Sequence, residues 1–133
     1  MTTKEYLMQY RKSMERTVEI ETHLHELKAE AIRLKDHEGH SVKLDAAVAL
    51  YVDECNAKSA ELSRLAALRG EIQGTIDSVQ NAKLRSLLHW RYICGFPWEH
   101  VAVKMSYSWR RVLQLHGAAL HAVAECMNNK EQL

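Results

Sequence analysis

The chain of 133 residues is 47% hydrophobic and 26% charged, with one proline and five glycines, an ordinary globular composition at a length that suits one domain or two very small ones. Its net charge of +1 comes from 18 basic and 17 acidic side chains, and it hides a local imbalance. Residues 1–74 carry 11 basic and 13 acidic groups, residues 75–133 carry 7 and 4, and no carboxylate lies between His100 and Ala124. Three cysteines, Cys55, Cys94 and Cys126, lack any CxxC spacing, which argues against a disulfide set or a cysteine-bound zinc and for a reduced compartment. No apolar h-region stands near the start and no run of 18 apolar residues occurs, so neither a signal peptide nor a membrane span is expected, and the expected location is the cytoplasm.

Residues 3–36 are rich in helix formers, with Leu7, Tyr10, Met14, Thr17, Ile20, Leu24, Leu27, Ala31 and Leu34 recurring in steps of three and four. That stripe predicts an amphipathic helix. The polar stretch from Asp36 to Ser41, with Gly39 inside it, reads as a connection. A second helix is expected from near Leu44 or Asp45. Strict 4,3 steps from Leu44 reach Val48, Tyr51, Cys55, Lys58, Leu62, Leu65, Arg69, Ile72, Ile76 and Val79, with nine apolar residues in eleven sites, a coiled-coil seam. A short connection between two long helices predicts an antiparallel hairpin over residues 1–79. Two such helices hide their stripes only in part, so the remainder should pack on the C-terminal segment or on a second copy of the chain.

The rhythm changes over residues 80–133. Leu84, Leu87, Leu88, Tyr92 and Ile93 form the apolar face of a helix from about Asn81 to Cys94, stopped by a left-handed cap at Gly95. A helix of about two turns follows over Pro97–Met105, with Pro97 suited to its first turn. Ser106-Tyr107 makes a tight connection, and Ser108 is a good N-cap for a longer helix from Trp109 to about Met127 whose inner face is Val112, Leu115, Ala119, Leu120 and Val123. Val101, Ala102, Met105 and Val112 supply the small core between them. Short helix, turn and longer helix make the helix-turn-helix outline, in which the second helix enters the major groove of DNA. Trp109, Arg110, Arg111, Leu113 and Gln114 lie off its buried side. Arg can take guanine, Gln can take adenine, and either can hold a phosphate instead.

The run from Leu87 to Ala102, with Arg91-Tyr92-Ile93, Gly95, Trp98 and Val101-Ala102, then Tyr107-Ser108-Trp109-Arg110-Arg111-Val112 and Leu115-His116-Gly117-Ala118-Ala119-Leu120, resembles small phage and prophage proteins that carry a sigma-70-type region 4 domain. The resemblance covers about residues 80–122 closely. It implies a three-helix, sigma region 4-like helix-turn-helix domain and a regulator of phage or mobile-element genes, with double-stranded promoter-like DNA and RNA polymerase as partners. In such domains the start of the recognition helix reads the −35 promoter element, a role that falls here on Trp109, Arg110, Arg111 and Gln114. The interface residues expected on these grounds are Ser108, Trp109, Arg110, Arg111, Gln114, Lys104 and His116. Four positions depart from the family pattern: Pro97 stands where a Ser or Thr N-cap is usual, Ser106 replaces a glycine-like turn residue, and Trp109 and Leu113 occupy polar or basic places. Nothing resembles the region that melts the −10 element, so the chain should not initiate transcription as a complete sigma factor.

Trp98 and Tyr107 read as core and hinge packing. His116 either bonds a phosphate or backbone carbonyl, or serves the structure. Trp109 either touches a thymine methyl or the sugar backbone, or is covered by the coil. The eight histidines show no HExxH or other ligand spacing, and neither a glycine-rich phosphate loop nor a GxSxG occurs, so no enzyme, cofactor or metal site is expected. The fold expected is all-α: a coiled-coil-like antiparallel hairpin, 1–79, followed by the helix-turn-helix domain, 80–133. Sequence-specific DNA binding in transcription regulation is the expected function, with a homodimer through the hairpin. Two alternatives are a phage DNA-packaging subunit of the small-terminase kind, or an assembly subunit, and a polymerase- or sigma-binding protein that reads no DNA.

Overall fold

The computed structural model describes residues 1–131 and is all-helical, with no strand among the described residues. Two helices of 36 residues each come first, α1 (Thr3–Glu38) and α2 (Val42–Asp77). They are followed by α3 (Ala82–Leu88), which runs on into a π-helical turn (His89–Ile93), then α4 (Trp98–Met105) and α5 (Trp109–Glu131). Residues 132 and 133 of the expected C-terminal segment lie outside the described residues.

The break between the long helices is shorter than expected because both of its ends are capped. Gly39 ends α1 in the left-handed region at φ 68°, where a residue without Cβ is unstrained. Two residues later Ser41 accepts the Leu44 N–H on its Oγ at 3.1 Å and the Asp45 N–H on its carbonyl. That N-cap starts α2 at Val42 rather than at Leu44 or Asp45.

The described residues form two compact units, which do not follow a boundary at 79/80. One is Ser13–Ala67; the other joins Met1–Lys12 to the chain from Leu68 onward. In the Ser13–Ala67 unit, α1 and α2 pack as an antiparallel hairpin. The Ser13 hydroxyl donates to the Leu65 carbonyl at 3.1 Å, and Arg16 forks onto Glu61 at 2.6 and 3.3 Å, so partners on α2 descend as α1 ascends. Ser13, Thr17, Ile20, Ala31 and Leu34 of α1 are buried. On α2 the expected seam is buried or half-buried at every site but Val48, which is 44% exposed, and Ala47, Glu54 and Glu61 beside it are half-buried as well. The Arg16–Glu61 hydrogen bond holds the Glu61 carboxyl below the usual carboxylate range.

In the other unit a single core gathers the two ends of the long helices with α3, α4 and α5. Leu7, Ile72, Ile76, Val79, Leu87, Leu88, Val101, Val112 and Val123 are fully buried, each contributing about 1.5–3 kcal/mol by removal from water. Polar contacts tie the pieces together. The Tyr6 hydroxyl lies 3.3 Å from both Glu71 and Thr75, Lys130 donates to the Thr75 hydroxyl at 2.9 Å, and Arg11 donates to the Ile93 carbonyl at 3.1 Å. Residues 1–12 and 68–79 therefore belong to the C-terminal core, because the apolar faces of α3 and α5 need a partner that the three short elements do not supply.

Candidate nucleic-acid interface

The C-terminal helices are set by local caps. Asn81 accepts the Lys83 and Leu84 amides on its side chain and begins α3. The helix then widens into the π-helical turn, absorbs one residue and ends at Gly95, φ 73°. Pro97 is the N-cap of α4, not its first residue: its ψ of 159° is extended, and its carbonyl accepts the His100 and Val101 amides. At the far end Ser106 takes the left-handed conformation, φ 58°, with its N–H on Val103 and the Tyr107 N–H on Ala102, a Schellman closure. Ser108 then accepts the Arg111 N–H on its Oγ at 3.1 Å. Three residues, Ser106 to Ser108, thus separate α4 from α5, and Val101, Ala102 and Val112 are buried where these helices meet.

On α5 the fully buried line is Val112, Ala119 and Val123; Leu115 and Leu120 are half-buried. At 3.6 residues per turn, Arg110 and Gln114 stand opposite that line. Trp109 and Leu113 form one shoulder, and Arg111 forms the other. All five are exposed, Trp109 at 46%, so that ring is covered only in part. Lys104 is exposed on α4, with its Nζ 5.4 Å from the Trp90 ring centre. None of the ion pairs among the described residues uses Lys104, Arg110 or Arg111.

His116 departs from the expected set. It is half-buried against Trp98, with ring centres 4.5 Å apart, and its Nε2 shares a hydrogen bond with the Tyr92 hydroxyl at 2.6 Å. Burial pushes its pKa down to about 4, with the charges of Lys4 and Arg91 adding to the shift. Burial likewise raises Tyr92 to about 12. His116 is a neutral packing residue that joins the π-helical turn, α4 and α5, because its place on the wheel lies beside Val112 and Ala119 rather than opposite them. Trp98 and Tyr107 are half-buried, as packing roles require; Trp98 also carries the Arg91 guanidinium 4.5 Å over its ring.

The structure adds a basic side chain that the sequence reading passed over. Lys83 at the start of α3 lies 5.9 Å from the Tyr107 ring, in the inter-helix turn. Lys83, Lys104, Trp90, Met105 and Tyr107 line one open groove. The signal for it was present: between Asp77 and Glu125 the only carboxylate is Glu99, against six lysines and arginines. Counted by compact unit, the part containing this surface has 11 basic and 6 acidic side chains, and the Ser13–Ala67 unit has 7 and 11. The imbalance is therefore larger than the division by chain order indicated.

Among the described residues no group of three His, Cys, Asp or Glu side chains is placed to hold a metal ion, and no helix is long and apolar enough to cross a membrane. Comparison with protein-family models, curated proteins and solved structures finds no match to this chain.

Proposed function

We propose that the chain is a sequence-specific reader of double-stranded, promoter-like DNA that acts in transcription regulation. The first two turns of α5 lie in the major groove and α4 crosses the backbone. The observation that carries this reading is the carboxylate-poor surface of α3 to α5, where Arg110 and Gln114 stand free just beyond the Ser108 cap. Arg110 takes a guanine through N7 and O6, and Gln114 takes an adenine. Arg111 on the shoulder and Lys104 on α4 hold phosphates, which position the helix without reading sequence. Trp109 faces the same groove. The resemblance to sigma region 4 supplies RNA polymerase as a partner and phage or mobile-element genes as the setting. Exposed Val48 and Val52, one turn apart on α2, support pairing of two copies through the hairpin.

Selection from random duplexes, followed by binding measurements on the enriched site, tests the reading. Arg110→Ala is expected to weaken binding by roughly 1–3 kcal/mol and relax one position, while Arg111→Ala weakens all sequences alike and flattens the salt slope by about one. An absence of enrichment, together with a double Arg→Ala variant that binds DNA as well as the wild type, refutes it. A closed ring of many copies in light scattering favours a DNA-packaging subunit instead.

A further inference from the structure

Trp109 and Leu113 are 46% and 44% exposed. They stand one turn apart on the same shoulder of α5, directly beside Arg110 and Gln114. Such large apolar side chains held in water at neighbouring sites lose free energy that burial against a partner would recover. Close to half of each side chain is left in water, although the adjacent face of the helix is packed down to Val112 and Ala119. One turn further along the same row comes Gly117, where an added Cβ would meet nothing within 4 Å. The row therefore runs from a ring to a branched aliphatic chain to bare backbone, and its profile drops away along the helix.

Charge complementarity identifies the occupant. The flanking side chains Arg110, Arg111 and Lys104 have no carboxylate partner, and no carboxylate occurs from His100 to Ala124. An acidic surface with apolar points at its centre fits this row. The major groove of duplex DNA presents that combination, because its phosphates flank base edges of which only thymine carries an exposed methyl group. We infer that Trp109 and Leu113 form an apolar reading row that recognises thymine 5-methyl groups, beside the guanine and adenine contacts of Arg110 and Gln114, and that Gly117 leaves room for the groove wall. The inference rests on the DNA-reading role of α5 proposed above and adds the base that the polar side chains do not read. It also predicts spacing. Residues four apart are about 6 Å apart along a helix axis, which is close to two base steps of about 3.4 Å, so the two thymines stand about two steps apart.

Uracil lacks only the 5-methyl group, so the enriched duplex is resynthesised with deoxyuridine at each thymidine in turn and titrated with the full chain. Wild-type affinity is expected to fall roughly fourfold, the transfer value of one buried methyl, at two thymines about two steps apart. Leu113→Ala becomes indifferent to uracil at one of them and keeps the penalty at the other, and Trp109→Ala shows the reverse. Both side chains are exposed, so circular dichroism melts should leave the fold of each variant intact, and the wild-type series requires no variant. If every uracil duplex binds like its thymine parent, or both penalties persist in both variants, the methyl-reading row is overturned while DNA reading stands. If no site can be selected, both fall together.

Discussion

Ser106 holds the left-handed conformation between α4 and α5, at φ 58° and ψ 39°, and Gly95 holds it before α4 at φ 73°. A Cβ in this region crowds the following carbonyl and costs about 1–2 kcal/mol. At Gly95 there is a second obstacle: an added Cβ would stand 2.8 Å from the Nε of Arg11, whose guanidinium is fixed on the Ile93 carbonyl. At Ser106 the strain is accepted because the Schellman hydrogen bonds to Ala102 and Val103 require a residue in that conformation. Ser106→Gly should therefore stabilise the chain by about 0.5–1 kcal/mol, less than the full strain because glycine also loosens the unfolded chain. Gly95→Ala should destabilise it. Thermal melts of both variants check this, and an Ser106→Gly melt below that of the wild type would sink the account. Turn chemistry of this kind was legible in the sequence, since Gly95, Ser106-Tyr107 and Ser108 act through their own neighbours.

At the scale of elements, legibility stopped where distant packing chose between local alternatives. The stripe from Leu7 to Leu34 is buried or half-buried along its whole length on α1, because a 3.6-residue period depends only on the helix itself. The seam on α2 is likewise buried or half-buried at every site but Val48; what its period does not show is the Arg16–Glu61 fork, which half-buries a carboxylate beside it. The π-helical turn was missed altogether, since His89–Ile93 suits an α-helix locally and the extra residue is favoured only by what it positions. That turn buries Tyr92 against His116 and leaves Trp90 stacked with Phe96 at 5.7 Å. The same junction predicts a pH dependence. His116 has a folded pKa of about 4, below the unfolded value of about 6.5, so as pH falls the unfolded chain takes the proton first. Its contribution is fully present above about pH 6.5 and is lost as pH falls toward 4. Melts taken from pH 7 down to pH 4 should show a steeper loss for the wild type than for His116→Gln; parallel curves would mean that the ring titrates normally.

At the scale of the whole molecule, a near-neutral total is the sum of two unlike units, and this bears on how tightly the chain holds a polyanion. Affinity for duplex DNA depends on phosphates neutralised, each adding about 0.9 to the slope of log affinity against log salt. On the proposed interface Lys104 and Arg111 are free for phosphates, and Lys83 beside Tyr107 is a third. One bound copy should then give a slope of about −3, and two copies paired through their hairpins about −5. The Ser13–Ala67 unit has an acidic excess, 11 carboxylates against 7 basic groups, so it adds no phosphate contacts of its own to that count. Lys83→Ala should reduce the slope by about one for each bound copy without changing the selected sequence. Titrations at several salt concentrations, with sedimentation of the complex to count copies, make the test. A slope that Lys83→Ala leaves unmoved removes this residue from the interface, and a slope near zero in the wild type removes the phosphate contacts altogether.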